Sequence, residues 1–229
     1  MRLVAALIML VFATSSQAGP IIISEVYPSG SASTYNADWF ELTNTGPTDI
    51  DITGWKIDDN SNAFASSVAL RGLTNLPAGK SAVFLEGNTV GDNDATKAAN
   101  FLTAWFGSSI LPDGFLIGGY GGSGVSLSGT ADAVNIYNAA GVLQANVSFA
   151  ATTAGFTFDN AAGLDNSAIS QLSVDGVNGA FLSFNGAETG SPGTIATVPE
   201  PSSMILVGFA VVGVVGRRFR RKASINAVI

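Results

Sequence analysis

Carboxylates dominate the side chains of this 229-residue sequence that could carry chemistry. The chain contains seventeen Asp and Glu residues, and it has neither His nor Cys. A Ser-His-Asp triad, a cysteine nucleophile, histidine-based proton transfer and the usual zinc sites are therefore excluded. Hydrolysis of glycosidic bonds by two acidic residues is the chemistry that the composition leaves open, but no spacing singles out a pair.

Two acidic segments could in principle hold calcium. DDNSN at residues 58–62 places acidic and amide oxygens at alternate positions. An EF-hand would need Gly at position 63 and Glu at position 69, and this chain has Ala63 and Ala69. DND at residues 92–94 is incomplete in the same way, so we expect solvated turns and no cofactor. The candidate calcium ligands are Asp58, Asn60, Asp92 and Asp94.

A glycine-rich stretch, GYGGSG at residues 119–124, matches the G-x-G-x-x-G pattern of dinucleotide-binding loops. Such a loop must lead into a helix N-terminus, whereas the alternating segment VSLSG follows here. No Lys or Arg lies between residues 98 and 216 to meet a phosphate. We interpret the stretch as a glycine-rich hairpin.

The segments that contain these residues are predicted to be mostly β-strands. Short runs of alternating or continuous apolar residues recur at roughly ten-residue spacing, with Gly, Asn and Pro between them, which favours an all-β sandwich over a βαβ fold. Asn138 to Gly141 predicts a hairpin turn. The predicted strands are 20–28, 38–44, 53–58, 81–87, 114–120, 124–129, 132–138, 142–149 and 180–186.

One segment, residues 92–109, has helical periodicity instead. Asp94 is its candidate N-cap and Gly107 its C-terminal stop. We predict a short amphipathic helix that covers one end or edge of the sandwich. Its apolar positions, at spacings i, i+3, i+4 and i+7, are Ala98, Phe101, Leu102 and Trp105.

The N-terminus has the pattern of a secretory signal peptide. Arg2 precedes an apolar run over residues 3–13, which is too short to span a membrane, and SQA at residues 16–18 fits a cleavage site. We expect signal peptidase to remove residues 1–18.

The middle of the chain is strongly acidic, and half of the basic residues lie near the C-terminus. Residues 25–200 hold all seventeen acidic but only four of the ten basic residues, a formal net charge of −13. Such a body should repel nucleic acid and anionic membrane, so nucleic-acid binding is not expected.

The C-terminal segment predicts a minimal membrane span. Residues 202–216 are uncharged, and at about 1.5 Å per residue a helix of this length covers roughly 22 Å of hydrocarbon. The basic cluster behind it should stay on the cytoplasmic side as a topological anchor. Its members are Arg217, Arg218, Arg220, Arg221 and Lys222.

The sequence just before this span completes a sorting signal. Two prolines around Glu200 keep the backbone extended and accessible to a processing enzyme. The motif, the apolar helix and the basic cluster together resemble the PEP-CTERM sorting signal of bacteria, which implies processing by an exosortase, a membrane-embedded cysteine transpeptidase. Seven residues follow Lys222, whereas such signals usually end close behind the basic run. The processing motif consists of Val198, Pro199, Glu200 and Pro201.

Motifs in the first half resemble the lamin tail domain of bacterial exported proteins. They are IISEV at 22–26, DWFELTN at 38–44, ITGW at 52–55 and LPAG at 76–79, followed by Phe84. The resemblance implies an immunoglobulin-like β-sandwich and a role in surface attachment or macromolecule binding. The motif residues, which we interpret as structural, are Glu25, Trp39, Glu41, Asn44, Gly54 and Trp55.

Two of these residues have a meaning that does not depend on the family. Glu41 shares a strand face with Trp39, so it could accept a hydrogen bond from a backbone or indole N–H at a sheet edge, which we favour over catalysis. Trp55 follows Gly54, and we favour a core aromatic over a carbohydrate-stacking site.

The sequence therefore predicts an exported chain with a signal peptide (1–18), a lamin-tail-like all-β sandwich (20–193), a linker with the processing motif (194–201), a transmembrane helix (202–216) and a basic tail (217–229). We expect a non-catalytic surface or matrix protein that binds polysaccharide or another surface macromolecule. The alternative is an exported carboxylate-dependent hydrolase acting on polysaccharide. Two carboxylates roughly 5 to 10 Å apart in a groove would favour that enzyme.

Overall fold

The computed structural model describes residues 20–158 and 169–194. The predicted signal peptide, the processing motif, the helix at 202–216 and the basic tail lie outside these residues, as does the linker after Thr194. Within the described part, no helix has the length and apolar character needed to cross a membrane.

The described chain is mostly β-structure with one α-helix. Two four-stranded sheets have the strand orders β1-β2-β7-β8 and β10-β9-β4-β5, and two small ladders pair β3 with β6 and β11 with β12. All pairs are antiparallel except β7 with β8. The strands are β1 (Ile21–Tyr27), β2 (Trp39–Asn44), β3 (Ile50–Asp51), β4 (Lys56–Asp58), β5 (Val68–Ala69), β6 (Asn75–Leu76), β7 (Ser81–Gly87), β8 (Leu116–Gly121), β9 (Asp132–Tyr137), β10 (Leu143–Phe149), β11 (Phe181–Leu182) and β12 (Thr189–Gly190).

The main core lies between the two four-stranded sheets. Phe40 and Leu42 of β2 point into it together with Phe84 of β7, because side chains two apart on a strand share a face. The second sheet contributes residues such as Val134 and Ile136 of β9. Phe40 and Phe84 stack with ring centroids 5.5 Å apart. The predicted sandwich of two sheets is therefore observed.

The other face of the first sheet is covered as well. Helix α1 (Asp94–Phe106) packs Phe101 and Trp105 against Trp39 of β2, with edge-to-face ring contacts at centroid distances of 5.7 and 6.0 Å. Every residue of β1 and β2 is buried in consequence. The helix therefore covers a sheet face, where the sequence predicted an end or edge.

The helix boundaries follow the predicted signals with one correction. Gly107 adopts a left-handed conformation with φ 76° and ends the helix, as expected. The N-cap position belongs to Asn93, and Asp94 is the first helical residue. The carboxylate of Asp94 accepts two hydrogen bonds from the guanidinium of Arg71, both at 2.9 Å. The backbone of Arg71 in turn forms an isolated β-bridge with Gly119 of β8, so the start of the helix is linked to that strand.

The glycine-rich stretch is not a hairpin between two strands. β8 ends at Gly121, and residues 124–129 form no ladder, although Val125 and Leu127 are buried in the main core. Backbone groups there bond locally, with the N–H of Ser128 donating to the Asp132 carboxylate at 2.6 Å. The predicted hairpin at Asn138 is confirmed, since its turn joins β9 to β10.

Candidate functional site

Two predicted motif residues, Glu25 and Glu41, lie opposite each other on neighbouring strands. They are register partners in the β1–β2 ladder, where Cβ atoms of opposed residues are about 5 Å apart. Both glutamates are 0% exposed. The sequence contained both residues, but nothing in it indicated that they form a pair.

A β-bulge produces this pairing. Ile21 and Ile23 of β1 face the main core, and simple alternation would send Glu25 to the same apolar side. The register shifts between Ile23 and Glu25, so one extra residue, Ser24, lies between them. Glu25 thereby turns to the face of Glu41.

Glu25 receives its hydrogen bonds from two segments that are far from it in the sequence. Its Oε1 accepts from the Thr157 hydroxyl at 2.5 Å and from the backbone N–H of Ser191 at 2.7 Å. Its Oε2 has no hydrogen-bond partner among residues 20–158 and 169–194. Burial and the charge of Glu41 raise the pKa of Glu25 to about 8, although the bonds from Thr157 and Ser191 oppose that rise.

Glu41 is held in a parallel way. It accepts hydrogen bonds from the Ser24 hydroxyl at 2.7 Å and from the backbone N–H of Gly193 at 2.5 Å. Burial raises its pKa to about 7, and these hydrogen bonds counteract part of the rise. β2 lies inside the sheet, so the expected position at a sheet edge was wrong. The Trp39 indole donates to the Tyr35 hydroxyl at 3.1 Å and not to Glu41.

The two glutamates therefore fasten residues 191–193, which we call the closing segment, to the first two strands. Hydroxyl groups complete the surroundings: Thr43 bonds to Ser24 at 2.7 Å and to Ser81 at 2.6 Å. Burial favours the protonated form of both carboxyl groups, and at Glu25 the charge of Glu41 adds to this effect. Neither side chain can reach a substrate in solution, because neither is exposed.

The remaining motif residues organise turns and the core. Asn44 donates from Nδ2 to the carbonyls of Thr48 (2.8 Å) and Leu76 (2.9 Å), which ties the loop after β2 to β6. Gly54 has φ 74°, a conformation that favours glycine. Trp55 is 6% exposed in the main core and offers no surface for sugar stacking.

The calcium candidates are occupied by protein donors or lie apart. The buried Asp58 accepts from the hydroxyls of Ser61 (2.6 Å) and Ser66 (2.8 Å) and from the N–H of Ala63 (2.6 Å). Asn60 donates its backbone N–H to Asp132 at 3.0 Å.

At the second loop, Asp94 is paired with Arg71, and Asp92 accepts from the Asn88 amide. The described residues contain no cluster of three or more acidic groups that could hold a metal ion.

Sequence reasoning missed a third buried acid and an exposed aromatic. Glu188 is 2% exposed and accepts a hydrogen bond from the Tyr35 hydroxyl at 2.9 Å, while burial raises the pKa of its carboxyl. Phe184 is 74% exposed beside a concavity of about 400 Å³. The predicted strand over 180–186 contains Phe184, but only Phe181–Leu182 form a strand there, and Glu188 lies behind the turn that follows. The alternation of the sequence therefore did not indicate which of these side chains is buried.

Comparison with known families agrees with the motifs. A sequence model of the Lamin Tail Domain matches residues 14–151, which include all strands from β1 to β10, and a model of the PEP-CTERM protein-sorting motif matches residues 197–222. A search of curated proteins finds no match. Lamin tail domains are non-catalytic and immunoglobulin-like, consistent with the two packed sheets. The sorting motif implies export, a C-terminal membrane anchor before processing, and exosortase as the processing enzyme.

Proposed function

Because this chain belongs to the lamin tail domain family, we propose that it is a non-catalytic protein of the cell surface or extracellular matrix, which acts by adhesion or by binding an extracellular macromolecule. The observation that carries the proposal is the order of the two family matches, with the sorting motif directly behind the β-rich body. No cofactor is part of the proposal.

The proposed path to the surface uses both ends of the chain. Signal peptidase removes residues 1–18, residues 202–216 span the inner membrane, and the basic cluster holds the tail on the cytoplasmic side. Exosortase then cuts near Pro199 and Pro201 and releases or transfers the body.

The buried state of Glu25 and Glu41 supports a binding protein over a hydrolase. A glycosidase needs two carboxyl groups that face a sugar in an accessible groove, and this pair faces the closing segment instead. Among the described residues, Asp38 and Glu86 line a common concavity of about 440 Å³, so they are the carboxyl pair that we would test for hydrolysis. We expect no release of reducing sugars from matrix polysaccharide, and hydrolysis that disappears in Glu86→Gln would overturn the non-catalytic proposal.

The proposal is tested by intact mass and fractionation of the protein in its native host. The double variant Pro199→Ala, Pro201→Ala should keep its tail in the inner membrane, whereas the wild type loses residues 1–18 and the segment behind the motif. Pro47→Ala, at an exposed proline of the body, is the matched control and should be processed normally. A wild type that retains residues 202–229 in the membrane would show a simple anchor and contradict exosortase processing.

A further inference from the structure

Phe184 is a large aromatic side chain that the fold holds in an exposed position. It is 74% exposed, whereas Phe181 of the same segment packs against Trp105 and Phe106 of α1. An exposed aromatic ring beside a concavity with polar lining groups is a candidate binding surface, because burying the ring against a ligand is favourable.

The backbone that carries the ring is held by the end of α1. The N–H of Phe184 donates to the carbonyl of Trp105 at 3.1 Å, and the N–H of Asn185 donates to the carbonyl of Ala104 at 3.0 Å. These bonds satisfy carbonyls in the last turn of α1 that have no helical partner. The ring itself lies so close to Gly107 that a Cβ at position 107 would be 2.8 Å from it. Because this backbone and part of the ring are in contact with the end of α1, stacking a ligand on Phe184 costs less conformational entropy than stacking it on an unsupported side chain.

The concavity beside this ring is lined by uncharged groups. Its volume is about 400 Å³, and its lining residues are Thr34, Asn100, Thr103, Ala104, Phe184 and Asn185.

Several of these polar groups retain bonding capacity. Within residues 20–158 and 169–194, the side chain of Asn100 makes no hydrogen bond, so its amide can both donate and accept. Asn185 uses Oδ1 to accept from Ser183 and Ala187, which leaves its Nδ2 as a donor. Thr103 donates to the carbonyl of Ala99 at 2.8 Å and keeps its acceptor lone pairs.

We infer that this surface, which we call the Phe184 platform, binds an uncharged polysaccharide by stacking the C–H face of a sugar ring on Phe184. Hydroxyl groups of the sugar would bond to the amides of Asn100 and Asn185 and to the Thr103 hydroxyl. The inference rests on the proposed function, which requires an extracellular macromolecule but does not name its class.

Charge decides between neutral and acidic polymers. The lining contains no Lys or Arg to pair with a carboxylate or sulfate group. Residues 25–200 carry a formal net charge of −13, so an anionic chain would meet net repulsion from the body. An uncharged sugar polymer needs no charged partner in the lining, and the negative charge of the body does not repel it.

The test is affinity electrophoresis of the protein purified in the form that the host produces. Native gels contain dextran, or the neutral or the acidic fraction of the host's extracellular polysaccharide. We expect a neutral polymer to retard the wild type, the acidic fraction to have no effect, and Phe184→Ala to bind about tenfold more weakly. Phe184→Trp should restore binding, because it restores the aromatic face.

Leu182→Ala is the matched control, since Leu182 is also exposed but does not line the concavity. It should bind like the wild type. Retardation by none of the neutral polymers, or equal retardation of wild type and Phe184→Ala, would overturn the inference. So would a wild-type dimer that Phe184→Ala converts to a monomer in light scattering, which would make the platform an interface between copies.

The failure of this inference and of the proposed function are separable. Phe184→Ala should be sorted and processed like the wild type, because it changes neither terminus. A correctly processed wild type that binds no neutral polymer would overturn only the inference about the Phe184 platform. An unprocessed wild type that binds such a polymer would overturn only the sorting proposal.

Discussion

Glu25 and Glu41 oppose each other across the β1–β2 ladder, and each accepts a backbone N–H from the closing segment. β1 and β2 are thus joined to the closing segment through two buried carboxyl groups. Burial favours the protonated form of both carboxyl groups. The free energy of unfolding should therefore depend on pH more steeply than exposed acids alone would make it.

The first prediction concerns the pH dependence of stability. Folding raises the pKa of Glu25 to about 8 from its ordinary value near 4.5, so between these pH values the native state binds more protons than the unfolded state. The free energy of unfolding should therefore fall as pH rises from about 5 to 8, by an amount on the order of a few kcal/mol. Glu25→Gln, which preserves an acceptor for Thr157 and Ser191, should flatten this dependence.

Urea unfolding at a series of pH values measures this effect. Glu86→Gln is the control, since it removes a carboxylate that is only half-buried. Equal slopes for Glu25→Gln and the wild type would show that the pair does not retain its proton in the native state.

A second prediction concerns the closing segment. Glu41→Ala removes the acceptor of the Gly193 N–H and of the buried Ser24 hydroxyl. We expect a loss of about 1 to 3 kcal/mol in stability and faster hydrogen exchange at Gly193 than in the wild type. Unchanged exchange at Gly193, measured by NMR on a folded variant, would contradict the role of Glu41 as its anchor.

The third prediction is that calcium has no effect on stability. Asp58 already accepts three hydrogen bonds from its own loop, so its oxygens serve as the internal acceptors of residues 61–66. The midpoint of thermal unfolding should be the same in EDTA and in millimolar calcium, while Asp58→Ala should cost about 1 to 3 kcal/mol. A rise in the midpoint with calcium that Asp58→Ala abolishes would instead identify a metal site.

A fourth prediction separates two roles of Asp94. If it acted as an N-cap, Asp94→Ser would preserve stability, because Ser is a good capping residue. The bidentate pair with Arg71 instead predicts that Asp94→Ser and Asp94→Ala lose similar amounts, about 1 kcal/mol for this partly exposed pair. Urea unfolding of both variants decides between the roles, and Asp92→Ser is the control at an exposed loop position.

Part of the fold could be predicted because it is encoded locally. The apolar spacing of Phe101 and Trp105 and the glycine at position 107 predict α1 and its end from a window of a few turns. The prediction at residues 124–129 was wrong for the opposite reason. Val125 and Leu127 alternate like a strand, but their backbone pairs with no strand among residues 20–158 and 169–194.

The sequence by itself determined the strand-rich character of the body, its helix, and the family motifs at 14–151 and 197–222, since these are patterns of residues close together in the chain. Only the tertiary structure decided that Glu25 faces Glu41, because a single-residue bulge reverses the face of every later side chain in β1. Tertiary structure also brought Ser191 to Glu25 across 166 positions and left Phe184 exposed at the end of α1. Such contacts depend on the packing of whole sheets, which no local pattern specifies.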